Sequence, residues 1–259
     1  MEFGICLLSV IPVRAEPLDL SEMVTQLLFG ELVVINERKK NWLHIRVVYD
    51  NYEGWTDEKQ IQILDEKEFN RLNNEIPRYT LDLVEIVQDN SNNGLIPVLI
   101  GSTIRNIDNE HFCIGSTDYS YNGQLTSPER QIKINFLLEN AMLFLHSPYL
   151  WGGKTPFGID CSGYTQTVYK ISGVKLLRDA SQQATQGETV SLLDEAGPGD
   201  LLFFDNEEGE IVHVGILLEN QKIIHASGKV RIDLIDHQGV YNNELKKYTH
   251  NLRLIKKII

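Results

Sequence analysis

The chain has 259 residues, which is long enough for one to three domains that each bury a hydrophobic core. Its 24 basic and 36 acidic side chains give a formal net charge of −12, which opposes binding to nucleic acid, anionic wall polymers or an acidic membrane and favours a small soluble substrate. Its three cysteines, Cys6, Cys113 and Cys161, lack close spacing, which argues against a disulfide framework or a C-x-x-C zinc site and favours a reducing compartment.

The first predicted element is the apolar run from Ile5 to Ile11. This run is short for the core of a signal peptide, and it follows Glu2 with no lysine or arginine before it, so we interpret it as a β-strand. No run in the sequence reaches the roughly 20 apolar residues that a membrane helix needs. A cytoplasmic location is therefore expected, unless a leader has been removed.

Residues 1–64 predict a small SH3-like barrel, because short β patterns alternate there with turns. The RKKN segment is typical of a hairpin turn, and in the strand after it His44 alternates with the apolar Leu43 and Ile45. This alternation places His44 on a solvent-facing side. A short helix or turn is expected over Ser21–Gly30.

Residues 65–75 are charged and favour a helical connector, which the Pro at position 77 ends. Residues 76–126 predict a second barrel of the same kind, because three β patterns are separated there by turns rich in Asn and Asp. Cys113 lies between Phe112 and Ile114 in one of these patterns. We therefore predict a buried structural thiol at Cys113, and another at Cys6.

Residues 127–259 form the last predicted domain, which opens with a helix at Ser127–Glu129. Serine suits the N-cap, proline the first helical position and an acid the first turn. The apolar stripe of this helix is Ile132, Phe136, Ala141, Phe144 and Leu145. The histidines of this domain without a patterned partner are assigned to loops or caps: His146, His237 and His250.

The segment PYLWGGKTPFGIDCSGY, Pro148–Tyr164, places a cysteine at a loop-to-helix junction. Glycine and proline break regular structure before Asp160, whereas Tyr164, Val168 and Ile171 follow with the spacing of a buried helix stripe. Asp160 then takes the N-cap position and Cys161 the first turn. The helix dipole and the first-turn N–H groups are expected to lower the pKa of the thiol, which favours a nucleophilic thiolate.

Two histidines lie downstream in short strand patterns. Along Ile211–Leu218 the alternation puts His213 on one face, and in the next run it puts His225 on one face. If the two strands pair through a turn at Glu219–Lys222, both imidazoles lie on the same side of the sheet. A cysteine, a histidine and a third polar group that fixes the imidazole are the parts of a cysteine nucleophile site.

The motifs around these residues occur together in one known family, in this order: PYLWGG, DCSGY, DASQQ, PGDLLFF, HVGI and IHAS. On these motifs, residues 127–259 resemble the NlpC-type family of bacterial cell-wall cysteine peptidases. The resemblance implies an α+β fold, in which a papain-like peptidase domain with helices packed on an antiparallel sheet follows two small all-β SH3-like barrels. With those barrels upstream, the chain is similar to γ-D-glutamyl-L-diamino acid endopeptidases.

The resemblance also implies the role of each site residue. Cys161 is the nucleophile, His213 the general base and then acid, and His225 the group that orients His213. The Tyr149 phenol donates to the oxyanion, together with the backbone N–H of Cys161.

Further residues are implied to contact the substrate. Asp160, Ser162 and Ser181 do so from the peptidase domain, although Asp160 also has a purely structural reading as an N-cap. From the first SH3-like barrel, Glu31 and Tyr52 are the nearest matches to the residues that meet the free amine of the substrate.

The implied reaction needs no metal and no cofactor. Its expected substrate is a small muropeptide such as L-Ala-γ-D-Glu-diamino acid, taken by a monomer in murein peptide recycling, with no nucleic-acid or membrane partner. Three alternatives stay open at this point. They are a zinc site that uses Cys161, His213 and His225, a noncatalytic wall-binding protein, and an amidase or acyltransferase on the same scaffold.

Overall fold

A computed structural model describes residues 2–128 and 133–259. The chain divides into two compact units, Met1–Arg130 and Gln131–Ile259. Within the described residues, no helix is both long enough and apolar enough to cross a membrane.

The first unit begins with a seven-stranded antiparallel sheet of order β3-β2-β6-β5-β4-β1-β7. Its strands are β1 (Glu2–Ile5), β2 (Val10–Arg14), β3 (Met23–Leu28), β4 (Leu32–Lys39), β5 (Trp42–Val47), β6 (Glu53–Asp57) and β7 (Gln62–Leu64). The predicted hairpin joins β4 to β5, with Lys40 in the left-handed region at φ 55°. Along β5 the alternation buries Leu43 and Ile45 and leaves His44 half-buried.

Two expectations for this sheet are wrong. The run from Ile5 to Ile11 is split between the end of β1 and the start of β2, because the chain turns after Cys6. The segment Ser21–Gly30 contains β3 rather than a helix, because Val13 pairs with Thr25 and the side chains from Thr25 to Leu28 are buried.

The predicted connector is the helix α1 (Glu66–Asn74), whose N-cap Asp65 accepts a hydrogen bond from the Glu68 backbone N–H. It buries Phe69 and Leu72. After it come two small sheets, of order β10-β9-β13-β12 and β11-β8-β14. Their strands are β8 (Arg78–Thr80), β9 (Val84–Asp89), β10 (Gly94–Leu99), β11 (Thr103–Ile104), β12 (His111–Ile114), β13 (Thr117–Ser120) and β14 (Leu125–Thr126).

The two thiols of this unit differ in burial. Cys6 is fully buried, as predicted. Cys113 is exposed, so the prediction of a buried thiol is wrong. Because side chains alternate along β12, the burial of Phe112 and Ile114 turns Cys113 to the opposite, solvent-facing side.

From residue 133 onward, the second unit combines helices with short strands and a barrel. The helices are α2 (Ile134–Leu143), α3 (Cys161–Ile171), α4 (Ala180–Gln183) and a 3₁₀ turn at Leu193–Glu195. α2 begins later than predicted, with Lys133 at its N-cap, and Ser127 and Pro128 are not helical. Glu129 and Ile132 of that prediction lie outside the described residues.

The barrel closes through the last strand of the domain. Its sheet has the order β17-β23-β18-β19-β20-β21-β22, and β22 also pairs with β23. The strands are β15 (Lys154–Thr155) and β16 (Gly158–Ile159) in a separate pair, then β17 (Glu188–Val190), β18 (Leu201–Asp205), β19 (Ile211–Leu218), β20 (Lys222–Ser227), β21 (Lys229–Ile235), β22 (Gly239–Asn242) and β23 (Lys247–Lys257). Six strands, β18 to β23, therefore form a closed barrel, and α3 packs against β19 and β20. The predicted α+β class is confirmed.

Candidate active site

Cys161 is the first residue of α3, as the sequence predicts. The Asp160 side chain caps the helix by accepting a hydrogen bond from the Gly163 backbone N–H at 2.6 Å. The Cys161 side chain is only 6% exposed, and its sulfur accepts a hydrogen bond from the Val214 backbone N–H. The thiol is thereby held against the strand β19, beside the residue that follows His213.

Burial, and to a smaller extent the Asp160 charge, raises the pKa of the Cys161 thiol to about 12. The Val214 N–H, the Arg178 charge and the Ser162 N–H act in the opposite direction. The expectation of a lowered pKa is therefore wrong, because desolvation of the thiolate outweighs the helix N-terminus. At rest the thiol keeps its proton, so the attack needs a base.

Arg178 holds both neighbours of the nucleophile, which sequence reasoning missed. Its guanidinium binds the two carboxylate oxygens of Asp160 at 3.1 and 2.6 Å and the Ser162 hydroxyl at 2.9 Å. The Arg178 side chain is 1% exposed. It lies one residue before the DASQQ motif, but its partners lie 16 and 18 residues away, so no local pattern announces the contact.

The two predicted histidines lie side by side. β19 and β20 pair as the predicted hairpin, with Leu217 opposite Ile223. His213 Nε2 lies 2.8 Å from His225 Nδ1, and both side chains are buried. Gly215 makes room for this arrangement, because a Cβ there would lie 2.8 Å from the His225 Cβ.

Asp233 and Arg231 extend this pair, and sequence reasoning missed both. His225 Nε2 lies 3.0 Å from Asp233 Oδ2, and Arg231 binds both Asp233 oxygens at 2.6 and 2.9 Å. The alternation of side chains along β21 could have predicted both residues. Arg231 lies directly opposite His225 in the β20–β21 register, and Asp233 follows on the same face. Burial alone raises the pKa of Asp233, but the hydrogen bonds and charges of His225 and Arg231 bring it below its usual value.

The hydrogen bonds that run from His213 through His225 to Asp233 determine which nitrogen of His213 is basic. The ionised Asp233 only accepts hydrogen bonds, so His225 donates through Nε2. With both rings neutral, His225 Nδ1 then accepts the proton of His213 Nε2–H, and Nδ1 of His213 carries the lone pair. Burial lowers the pKa of His213 well below its usual value, and a positive charge on His225 or His250 would lower it further. The imidazole therefore stays neutral and able to accept a proton.

His250 is the third imidazole of the site, and its assignment to a loop or cap is wrong. It lies in β23, where its ring stacks on His213 with centroids 4.2 Å apart and an interplanar angle of 24°. Of the other two unassigned histidines, His146 is an exposed loop residue with φ 73° and His237 is exposed. No structure-based role follows for either of them.

The nitrogens of His213, His225 and His250 all lie within 4.8 Å of one another, and among the described residues they form the candidate metal cluster. This set differs from the zinc alternative raised on sequence, which used Cys161 in place of His250. The donor chemistry suits zinc. The stacking of His250 on His213 does not suit a metal. A metal ion binds in the plane of each imidazole, and two stacked rings inclined by only 24° have no common in-plane position near their edges.

Tyr149 lies near the thiol, in the loop before α3. Burial raises the pKa of its phenol, and the neighbouring Cys161 and Asp160 charges raise it further. The phenol therefore keeps its proton and can donate a hydrogen bond. Its backbone is fixed by a bridge to Ile159 and by the hydrogen bond from its N–H to the Gly228 carbonyl.

The predicted substrate contacts have different surroundings. Asp160 and Ser162 are buried and bound by Arg178, whereas Ser181 is exposed in the short helix α4. Glu31 and Tyr52 belong to the first unit. There the Glu31 carboxylate is 2% exposed and accepts the Leu28 backbone N–H at 2.9 Å, and the Tyr52 N–H donates to Asp50.

Comparison with known proteins gives two family matches. Residues 146–251 match the NlpC/P60 family, and residues 13–61 match the bacterial dipeptidyl-peptidase SH3 domain. The first range contains the thiol, the histidine pair and Asp233, and the second contains Glu31 and Tyr52.

Two curated relatives show the extent of the similarity. A γ-D-glutamyl-L-lysine dipeptidyl-peptidase of Bacillus subtilis is 41% identical over 42% of this chain and 38% of its own length. Dipeptidyl-peptidase 6 of Lysinibacillus sphaericus is 28% identical over 89% of this chain and 91% of its own length. The crystal structure of an NlpC/P60 family protein from Bacillus cereus superposes with a TM-score of 0.83 at 20% identity, over 99% of both chains, and shares the fold.

Proposed function

From the premise that residues 146–251 form an NlpC/P60 cysteine peptidase domain, we propose that the chain hydrolyses the γ-D-glutamyl-L-diamino acid bond of peptidoglycan stem peptides. One observation carries the proposal. The thiol of Cys161 lies at a helix N-terminus against the strand of His213, whose far nitrogen is tied through His225 to the Asp233 carboxylate. This arrangement supplies a nucleophile, a base and a group that fixes the base.

In the first step, Nδ1 of His213 takes the thiol proton as the sulfur attacks the γ-D-glutamyl carbonyl carbon. The imidazolium that forms keeps its Nε2–H directed at His225, and the Asp233 charge stabilises it through that ring. The proton then passes to the leaving amine of the diamino acid, and an acyl-enzyme remains. Water, deprotonated by the same His213, hydrolyses the thioester and restores the thiol.

The tetrahedral intermediate carries a negative oxygen. The backbone N–H of Cys161, at the start of α3, is one donor for it, and the protonated Tyr149 phenol is proposed as the second. Donors that are already in place stabilise such an oxyanion without reorganisation; removing one costs about 10²- to 10³-fold in kcat in enzymes of this kind.

For the substrate we propose a small free peptide, L-Ala-γ-D-Glu-diamino acid, whose ammonium group pairs with Glu31 next to Tyr52. Glu31 is a buried carboxylate in the SH3 domain. An ammonium group that reaches it leaves water, so the pair is favourable only when both charges are present. Asp160, Ser162 and Ser181 are the proposed contacts in the peptidase domain.

The proposed setting is murein peptide recycling by a cytoplasmic monomer. The net charge of −12 supports it, because repulsion from anionic wall polymers disfavours intact wall as the substrate. No metal or cofactor takes part in the proposed reaction.

The test is mass spectrometry of a muropeptide mixture after incubation with the wild type and with Cys161→Ala. Release of L-Ala-γ-D-Glu by the wild type only is expected. Cleavage at another bond would indicate an amidase or acyltransferase, and no cleavage with retained wall binding would indicate a binding protein.

A second comparison tests the substrate's amine. We expect kcat/KM for the free tripeptide to exceed that for its N-acetylated form by a factor of about 10² or more, since acetylation removes the positive charge that the buried Glu31 carboxylate would bind. Glu31→Gln should remove most of this preference. Efficient cleavage of the acetylated peptide or of intact sacculi would contradict the recycling role, whereas a normal Glu31→Gln enzyme would contradict only that residue's assignment.

A further inference from the structure

The ring of His250 reaches the catalytic face through two irregularities in β23. The register between β18 and β23 shifts between Phe203 and Phe204, and the register between β22 and β23 shifts between Val240 and Tyr241. A shift of one residue turns every later side chain to the other side of a strand. Without the first shift, Phe204 would lie opposite Arg253, and His250 would point away from His213.

Three aromatic contacts and one hydrogen bond hold the ring once it is there. It stacks on His213, it meets the edge of His225 with centroids 5.5 Å apart at 84°, and it meets Phe204 at 5.8 Å and 64°. The Thr249 hydroxyl lies 2.9 Å from His250 Nδ1 and fixes the rotation of the ring. The Phe204 ring also packs against the His213 ring, with centroids 5.6 Å apart. His213 is therefore enclosed by flat side chains on the side that His225 leaves open.

The charge state of His250 suits a supporting ring. Burial lowers its pKa to about 4, and the charge of His225 acts in the same direction. A neutral ring stacks on the imidazolium of His213 without repelling it, whereas a second cation at 4.2 Å would oppose proton transfer from the thiol. The groups that face His250 from neighbouring strands are His213 on β19, His225 on β20 and Asp233 on β21.

We propose that His250 is a positioning residue, whose flat ring holds the plane of the His213 imidazole so that Nδ1 stays directed at the Cys161 thiol. The inference rests on the proposed role of His213 as the general base. The hydrogen bond to His225 fixes the position of Nε2 in the His213 ring. It does not stop the ring plane from tilting about the axis of that hydrogen bond. The stacked ring of His250 restricts this remaining motion.

The experiment compares His250→Phe, which keeps a flat ring, with His250→Leu, which fills the space without one. His237→Phe serves as the control, because His237 is an exposed histidine of the same unit. Three quantities are measured for each variant: kcat and KM on the free tripeptide, the rate at which iodoacetamide alkylates Cys161 in a Cys113→Ser background, and the melting temperature. The background is needed because Cys113 is exposed.

His250→Leu is expected to lower kcat by about 10- to 100-fold, a part of the full general-base contribution, with KM within about twofold of the wild type. Cys161 alkylation should slow in parallel, and His250→Phe should restore most of both rates. Two outcomes would overturn the proposal: wild-type rates in His250→Leu, or equal losses in His250→Leu and a folded His250→Phe. Failure of the wild type to cut the tripeptide would contradict the proposed substrate only. The alkylation rates would still test the role of His250, because alkylation of Cys161 needs no peptide.

Discussion

The two sides of Cys161 are built on different principles. On the helix side, Arg178 binds Asp160 and Ser162, and the Arg178 side chain is only 1% exposed. On the barrel side, His213 leads through His225 to Asp233, and burial shifts the pKa of the first ring downward. On the helix side the charged groups form a buried ion pair. On the barrel side lie the groups to which we assign the transfer of the thiol proton. Placement of the sulfur and handling of its proton are therefore assigned to separate networks, which mutation can separate.

The largest expected effect lies on the barrel side. His213→Ala should lower kcat by about 10²- to 10⁴-fold, because it removes the base itself. His225→Ala should lower kcat less, because it removes only the group that orients the base. Steady-state kinetics on the free tripeptide measure both. Chelators should leave the wild type unchanged, and zinc-dependent recovery after treatment with EDTA would contradict this assignment.

The helix side should respond in stability. Arg178→Ala removes the cation that pairs with the buried Asp160 carboxylate and leaves it only its uncharged donors, such as the Gly152 and Gly163 N–H groups. This loss is expected to cost about 3–5 kcal/mol in the free energy of unfolding. Arg231→Ala is the matched control. Arg231 also binds an aspartate with two hydrogen bonds, but its side chain is 17% exposed and Asp233 keeps His225. Urea unfolding measures both variants. Equal losses would contradict the distinction between the two sides.

Gly215 offers a way to disturb the barrel side without removing any of its functional groups. An added Cβ at Gly215 would lie 2.8 Å from the His225 Cβ and 2.6 Å from the Ile223 side chain, so His225 must move. Gly215→Ala is expected to cost about 1–3 kcal/mol of stability and to lower kcat. Gly197→Ala, where a Cβ meets nothing within 4 Å, is the matched control. An unchanged kcat in Gly215→Ala would show that the His213–His225 contact tolerates displacement.

The smallest expected effect is a dependence of stability on acid. The folded pKa of His250 is about 4, below the usual value of 6.5, so the unfolded chain binds more protons between these values. The contribution of His250 is fully present above pH 6.5 and is lost as the pH falls towards 4, and His213 adds to the loss in the same direction. The melting temperature should decline over this range, and His250→Phe should decline less. Identical curves would contradict the burial of a neutral His250.

Sequence reasoning reached the parts of the site that follow local rules. The N-cap of Asp160 and the alternation in β19 and β20 depend on neighbours in sequence, so they predicted where Cys161, His213 and His225 lie. Asp233 and Arg231 follow the same alternation, so their positions beside His225 could also have been predicted. The class of the fold was predicted as well, although the closure of its sheet into a barrel was not.

Other features depend on contacts that no local pattern contains. Arg178 is a buried cation whose partners are distant in sequence. His250 lies between two register shifts, so the regular alternation that predicts a strand face fails there. The pKa of Cys161 follows from the depth of its burial, which the position at a helix start does not reveal. Cys113 was a simpler error, since the alternation in HFCI already favours an exposed thiol.

Closure of the barrel sets an order of events during folding. The strands from β18 to β23 each pair with the next strand in sequence, and β23 must in addition return to β18, with Leu201 opposite Lys256. Pairings between distant segments form slowly, because a long loop must close before any contact rewards it. We therefore expect the His213–His225 hairpin to form early and the ring of His250 to arrive last. In refolding experiments, recovery of Cys161 alkylation should lag behind the far-ultraviolet circular dichroism signal, so that the nascent protein stays inactive until its final strand is in place.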